Sequence, residues 1–180
     1  MRLASGQCVM SIVDSSLAVA APHFTSRVEQ AQRLVESADL TPALTDADRD
    51  LLTTTLRDRR QAIEDHGAPA QLLHGEPHPG NVLSTPNGMR FIDLETCCRG
   101  PIEFDLAHVP ELVSNQYPNV DQDLLRDCRV LVLAMVAAWR WDPSDQFPNG
   151  QRAGHDLVNA LHAGPPWPTL EAVMKPRRDP

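Results

Sequence analysis

The side chains best suited to chemistry lie in one short segment, residues 72–83. It alternates residues that restrict the backbone, glycine and proline, with side chains that are ionisable or carry an amide. The latter are His74, Glu76, His78 and Asn81. Glycine and proline at this density favour an irregular backbone over a continuous helix or strand. The segment therefore predicts a loop that displays these four side chains.

A second carboxylate, Asp93, follows this loop after a predicted β-hairpin. Residues 81–84 and the alternating residues 89–94 are typical of short strands, and Pro-Asn-Gly at 86–88 is a turn signal. A hairpin over residues 81–95 would return Asp93 to the side of Asn81. Carboxylate and amide oxygens suit Mg²⁺, and phosphate oxygens can complete its coordination shell. The pattern predicts a magnesium site at the mouth of the hairpin.

A loop carboxylate, an Asn and a metal-binding Asp are together the parts of a kinase catalytic centre. The two segments, HGEPHPGNVL and FIDLETCCRGPIEFDLA, resemble the catalytic and metal-binding segments of the aminoglycoside phosphotransferase/choline kinase-like family, which has a protein-kinase-like fold. The resemblance covers residues 72–109. The shared residues are His74, Gly75, His78, Gly80, Asn81, Ile92, Asp93, Glu95, Gly100, Pro101, Asp105, Leu106 and Ala107.

The resemblance implies a direct role in phosphoryl transfer for four residues. Glu76 occupies the position of the catalytic base, which orients the attacking hydroxyl and accepts its proton. Asn81 and Asp93 would bind Mg²⁺ that bridges the phosphates of ATP. His78 would lie near the phosphates and shape the loop. The implied cofactors are therefore ATP and Mg²⁺.

The resemblance implies supporting roles for three further residues. His74 would brace the loop from inside as a buried histidine. Asp105 would hold the loop by accepting hydrogen bonds from backbone amides, and Glu95 would support the metal site without binding the ion directly.

Glu76 is also where this chain departs from the family. The usual pattern has Asp at this position, and Glu is longer by one methylene. A displacement of about 1 Å can cost about 10²-fold in rate, so either the loop adjusts to the longer side chain or the activity is weak. Pro77 also replaces the commoner aliphatic or aromatic residue.

The same loop has a rival interpretation as a zinc site. His74 and His78 are four residues apart with Glu76 between them, which is similar to H-E-x-x-H. That motif needs a helix to bring both imidazoles to one face. Glycine and proline at 75, 77 and 79 oppose a helix here, and the Glu is one position late. The sequence therefore favours the kinase-like interpretation.

Apolar residues at helical spacing predict several helices around the loop. The first follows a capping box at Ser26–Glu29, and the second begins at Thr45 and ends at Gly67. Further helices are predicted from Ile102, over 121–141 and over 151–162, with an irregular tail from Gly164. The predicted fold class is mainly α with a small β-hairpin (α+β), as in the helical C-terminal lobe of the protein-kinase-like fold.

The length of 180 residues fits one domain of typical size. No GxGxxG segment is found, and the only lysine is Lys175, although kinases use both elements to position ATP. We therefore expect the N-terminal nucleotide lobe to be absent. The predicted organisation is an irregular remnant of the inter-lobe connection at 1–22, the C-terminal lobe at 23–163 and a Pro-rich tail at 164–180.

Composition bears on partners and location. A net charge of −8 argues against a nucleic-acid partner bound through clustered cations and is compatible with a cationic acceptor. The longest apolar run, residues 130–139, is too short for a membrane span. Four cysteines without a CxxC spacing predict unpaired thiols in the cytoplasm. Residues 17–21 loosely suggest a signal peptide, but Asp14 interrupts its apolar core.

Two functions follow as hypotheses. The first is a phosphotransferase that moves the γ-phosphate of ATP to a hydroxyl of a small-molecule acceptor, in a chain that is incomplete by itself. The second is a non-catalytic orphan lobe, either a pseudoenzyme or an interaction module. A complementing N-terminal lobe or self-association is the predicted macromolecular partner.

Overall fold

The computed structural model describes residues 20–175. The predicted class, mainly α with small antiparallel β elements, is confirmed. The predicted remnant at 1–22 and the signal-peptide segment lie outside the described residues, apart from residues 20–22. Along the chain the elements are α1 Thr25–Glu36, α2 Asp46–His66, β1 Gln71–Leu73, β2 Val82–Thr85, β3 Gly88–Phe91, β4 Cys98–Gly100, α3 Ile102–Leu106, α4 Glu111–Ser114, α5 Gln122–Arg140, α6 Gly150–Ala163 and α7 Leu170–Met174.

Helix α5 forms the centre of the core. Every residue from 130 to 138 is buried, which is the pattern of a helix surrounded by other elements rather than lying at a surface. Helices α1, α2 and α6 pack around it, and α3 contacts its other side. Its first turn is capped by Asp121, whose carboxylate accepts hydrogen bonds from the amides of Asp123 and Leu124 at 3.0 Å each. The predicted long helix is therefore confirmed.

The ends of the first two helices test the capping predictions. Helix α2 begins as predicted, because the Thr45 hydroxyl accepts from the Asp48 amide at 3.2 Å, and it ends at Gly67, which has φ +65°. The capping box at Ser26 is wrong: α1 starts at Thr25 with no side-chain cap. Here the chain is instead fixed by backbone pairing, since the Phe24 amide donates to the Arg99 carbonyl at 2.8 Å.

Two small antiparallel sheets carry the loop. Strands β2 and β3 form the predicted hairpin, with Val82 opposite Phe91. Strand β3 ends at Phe91 rather than continuing to Leu94, because Asp93 has φ +61° and opens a short 3-10 turn. The second sheet pairs β1 with β4, with Gln71 opposite Gly100, and was not predicted. It fixes the start of the loop that carries Glu76 to the segment that precedes α3.

The remaining differences between the predicted and the observed elements concern short helices. The helix predicted from Ile102 ends at Leu106, and the tail contains the five-residue helix α7, capped by Thr169, where an irregular segment was expected. Within residues 20–175 no helix combines the length and the hydropathy that crossing a bilayer requires.

Candidate active site

The loop that carries Glu76 is anchored by Asp105 of α3. The two carboxylate oxygens of Asp105 accept hydrogen bonds from the backbone amides of His74, at 2.9 Å, and Gly75, at 2.8 Å. Burial raises the pKa of the Asp105 carboxyl, while these two hydrogen bonds act in the opposite direction. This is the geometry that the supporting role proposed for Asp105 requires.

His74 ties the loop to the segment after β3. Its side chain is 1% exposed, and Nε2 lies 2.9 Å from the Ile92 carbonyl. The other ring nitrogen, Nδ1, accepts from the Glu76 amide at 3.3 Å. These partners suit the tautomer that carries its proton on Nε2. The Thr96 hydroxyl donates to the His74 carbonyl at 2.9 Å, so residues before and after the hairpin hold each other.

The close approach of the loop to the Thr96 segment requires a glycine at position 75. The φ of Gly75 is +85°, and a Cβ at this position would meet the backbone carbonyl of Thr96. Only glycine satisfies both conditions without moving the backbone. The glycine preceding the candidate base is therefore a consequence of how closely the two segments approach.

Arg27 of α1 contacts the loop on its other side. Its guanidinium donates to the Gly75 carbonyl at 2.5 Å and lies 3.5 Å from Oε2 of Glu76. It also stacks over the Trp139 ring, 4.9 Å from the centroid. Sequence reasoning missed Arg27, since an arginine so far along the chain from the motif has no spacing that marks it. The contact gives the longer Glu76 side chain a partner.

The candidate metal ligands lie next to each other along the hairpin. The Ile92 amide donates to the Asn81 carbonyl at 3.0 Å, which brings Asp93, the next residue, to the level of the loop. The Asn81 side chain donates from Nδ2 to the Glu76 carbonyl at 3.0 Å. No contact within residues 20–175 occupies its Oδ1, and Asp93 is exposed.

These residues fit a magnesium ion that is bound together with nucleotide phosphates. Among residues 20–175, no hydrogen bond or ion pair occupies Oδ1 of Asn81 or the carboxylate of Asp93, and both groups are hard oxygen ligands. In the described part of the chain, no three His, Cys, Asp or Glu side chains are grouped so that they could hold a metal by themselves. The donor set therefore suits an ion whose other ligands come from phosphate and water.

The other predicted residues surround Glu76. The His78 side chain accepts from the Gly80 amide at 3.0 Å, which stabilises the turn before Asn81. Glu95 is exposed and lines a cavity of about 410 Å³ together with Glu76 and Arg27. The structure thus brings all seven predicted site residues to one loop, its hairpin and the helix that anchors them.

The cysteines beside the site are poorly suited to nucleophilic chemistry. Burial raises the pKa of the Cys98 thiol to about 12 and also raises that of Cys97. A thiol protonated at neutral pH is a weak nucleophile. Cys97, Cys98 and Cys128 are free thiols, and Cys8 lies outside the described residues.

Residues 13–130 match the sequence profile of the phosphotransferase enzyme family. The chain belongs to this family. A search of curated protein sequences found no match. Among solved structures, the chain is similar to the choline kinase LicA from Streptococcus pneumoniae, with a TM-score of 0.58 and 15% identity over 80% of this chain and 57% of that one.

A second similar structure is a choline/ethanolamine kinase family protein from Mesorhizobium loti. The TM-score is 0.54, with 16% identity over 84% of this chain and 58% of that one. At this identity the likeness establishes the fold. The chain spans less than three-fifths of the length of either structure. Its fold therefore corresponds to part of a kinase-like fold.

Proposed function

We propose that the protein is a phosphotransferase that moves the γ-phosphate of ATP to a hydroxyl of a small molecule. The observation that carries this proposal is the hydrogen bonding of the loop. Asn81 donates to the carbonyl of Glu76 and accepts from the amide next to Asp93. The position of the base and the two positions for metal ligands therefore form one connected unit.

In this reaction the acceptor oxygen attacks the γ-phosphorus while Glu76 takes the hydroxyl proton. The bond from phosphorus to the oxygen that bridges the β- and γ-phosphates breaks, and ADP leaves. Arg27 limits the directions in which the flexible Glu76 side chain can point, because its guanidinium lies 3.5 Å from Oε2. Such positioning compensates in part for the extra methylene relative to Asp.

Asn81 and Asp93 would hold Mg²⁺. The ion, when bound, neutralises charge that develops on the β- and γ-phosphate oxygens. Asn81 contributes Oδ1 in a fixed orientation because Nδ2 is committed to the Glu76 carbonyl. Asp93 contributes an exposed carboxylate from a left-handed backbone position.

We further propose that a nucleotide-binding lobe, supplied by the same protein or by a partner, takes part in the reaction. Lys175 is the only lysine of the sequence, and kinases position the phosphates of ATP with a lysine on a strand of the first lobe. The hairpin β2–β3 and the segment that follows it present apolar side chains to solvent that such a lobe would cover, namely Leu83, Met89, Phe91, Ile92 and Leu94. Free thiols at three described cysteines support a cytoplasmic location.

The test is ATP hydrolysis, with water in place of the unidentified acceptor. We would measure it with and without Mg²⁺, for the chain alone and for the chain joined to the N-terminal lobe of a family member. Mg²⁺-dependent hydrolysis by the joined protein should fall at least 10²-fold in Asp93→Ala, since a metal-phosphate contact of this kind supplies several kcal/mol.

Asp58→Ala is the matched control, because Asp58 is exposed on α2 and, among residues 20–175, pairs with its neighbour Arg57 alone. Hydrolysis that survives Asp93→Ala unchanged would contradict the metal assignment. A cooperative melt with no calorimetric binding of Mg-ATP by the joined protein would instead favour the second candidate, a non-catalytic lobe. The observation that favours this candidate is Glu76 at the position where the family has Asp.

A further inference from the structure

A second cavity reaches Glu76 from the side of the helices. It has a volume of about 420 Å³ and is enclosed by the loop, α5, the connection before α6, and α7. Its walls include Glu76, His78, Val136, Phe147, Leu170 and Met174. Most of this lining is apolar, and the volume lies within the roughly 300–1,000 Å³ of small-molecule sites.

Two wall residues, His108 and Arg140, have buried side-chain nitrogens without a hydrogen-bond partner among residues 20–175. In His108, which is 5% exposed, this holds for both ring nitrogens, the only polar atoms of the side chain. Buried polar groups in folded proteins are nearly always hydrogen-bonded. A neutral imidazole offers one donor and one acceptor. His108 lines the cavity, so a small rotation of the ring would let a ligand hydroxyl or carbonyl group satisfy one of its nitrogens.

Among residues 20–175, the Arg, Lys and Glu side chains that line the cavity each lie within 4 Å of an opposite charge, although Nε and Nη1 of Arg140 have no hydrogen-bond partner there. Arg140 lies 3.2 Å from Asp145 and stacks over Phe147, 4.4 Å from the ring centroid. Glu171 pairs with Lys175 at 3.1 Å. Glu76 has Arg27 as its partner. In this part of the chain, the two carboxylates that line the cavity, those of Glu76 and Glu171, therefore each already lie beside a cation, which weakens their attraction for a cationic ligand.

The acidic residues of the later helices do not change this conclusion. Asp121 caps α5, Asp123 pairs with Arg126 and Asp127 with Arg59, and Asp142 accepts from the Ser144 amide. Their charges stabilise local structure rather than forming an open anionic site. The net charge of the protein thus says little about the charge of the acceptor.

We propose that this cavity is the acceptor site and that it takes a small, uncharged hydroxy compound with a largely apolar body. The body would pack on Val136, Phe147 and Leu170, with a polar group on His108 and the reacting hydroxyl at Glu76. The acceptor role rests on the proposed phosphotransferase function, whereas binding by the cavity does not. The class differs from an aminoglycoside or a choline-like cation.

Binding is tested with three probes that share one ring: benzyl alcohol, benzylamine, which is cationic at pH 7, and toluene. The readout is the methyl signal of Met174 in methionine-labelled protein, which needs neither ATP nor Mg²⁺. Benzyl alcohol should shift this signal saturably and bind about tenfold more tightly than benzylamine. His108→Phe should reduce the advantage of benzyl alcohol over toluene by about tenfold, the value of one hydrogen bond.

Leu170→Trp fills the cavity from α7 and should abolish the response to benzyl alcohol. Leu112→Trp is its control, because Leu112 is 78% exposed and outside the cavity. Equal or tighter binding of benzylamine would overturn the assignment to uncharged compounds. Unchanged binding in both Leu170→Trp and His108→Phe would overturn the site itself.

The acceptor role has a separate readout. In the protein joined to a nucleotide lobe, benzyl alcohol should change the rate of ATP consumption, because it replaces water beside Glu76. Binding without such a change would overturn the acceptor role and leave the cavity as a binding site. Absence of Mg²⁺-dependent hydrolysis, with probe binding intact, would contradict the phosphotransferase function but not the cavity.

Discussion

The loop that carries Glu76 and the hairpin that follows it are built in opposite ways. Between His74 and Asn81, backbone groups and side chains are tied to α1, α3 and the Thr96 segment by hydrogen bonds. Strand β3, in contrast, is exposed along its length, and the neighbouring apolar residues Leu83, Ile92 and Leu94 face solvent. The lobe thus fixes its candidate base without help and leaves the hairpin surface open.

The contrast predicts that replacing a glycine of the loop with alanine destabilises the protein far more than the same replacement in the hairpin. Gly75→Ala should destabilise the protein by about 3–5 kcal/mol, because a Cβ at φ +85° meets the Thr96 carbonyl. Gly88→Ala, at φ +104° with nothing within 4 Å, should cost only about 1–2 kcal/mol. Urea denaturation of both variants measures the difference, and equal losses would contradict the contrast.

Asp105→Asn should have the next largest effect, about 2–3 kcal/mol. Asn has the shape of Asp, but its side-chain NH₂ group replaces one of the two acceptor oxygens. This NH₂ group would face the backbone amide of His74 or Gly75, and neither donor would have an acceptor. The exposed Asp123→Asn on α5 is the control and should lie within about 0.5 kcal/mol of the parent. Faster hydrogen exchange of the His74 and Gly75 amides would localise the damage, and their unchanged protection would contradict it.

His108 should make the free energy of unfolding depend on pH. Burial lowers the pKa of this imidazole to about 3, whereas in the unfolded chain it is about 6.5. Between these values the unfolded state binds the extra proton, so stability is full above about pH 6.5 and falls as the pH drops towards 3.

Replacing His108 with Phe should remove this part of the acid sensitivity. The parent should lose about 2 kcal/mol more than His108→Phe between pH 8 and pH 5, at about 1.4 kcal/mol per pH unit below 6.5. Thermal or urea unfolding at the two pH values provides the measurement. His66, which lies 3.3 Å from Asp121 at the surface, offers the control variant His66→Phe. Parallel pH profiles for the parent and His108→Phe would refute a buried neutral imidazole.

The same contrast explains what the sequence could and could not predict. The helices were predictable because long apolar periodicity, Thr45, Gly67 and Asp121 are local signals. The pairing of β1 with β4 was not, since three-residue strands are too short to show a period. Strand β3 was predicted too long because alternation continues to Leu94, although the backbone turns at Asp93.

For the site, the motif indicated which residues belong together but not what surrounds them. Glu76 and Asn81 are close in sequence, and the hairpin returns Asp93 to the side of Asn81, so the local geometry could be anticipated. Arg27 lies on α1 and His108 in the turn after α3, and the approach of both to the loop depends on tertiary packing. A single arginine and a single histidine have no distinctive spacing, and their roles emerge only from contacts and burial.

A substitution on the exposed surface of the hairpin should have a small effect on stability and a clear effect on association. Met89→Ser should change the free energy of unfolding by less than about 0.5 kcal/mol, because the side chain is 66% exposed. If the hairpin is the surface that a nucleotide lobe covers, the same change should weaken binding of a separately supplied lobe or reduce self-association. Sedimentation velocity measures this, with Thr54→Val on the exposed side of α2 as the control. A large loss of stability with unchanged association would mean that the hairpin is part of this lobe's own core.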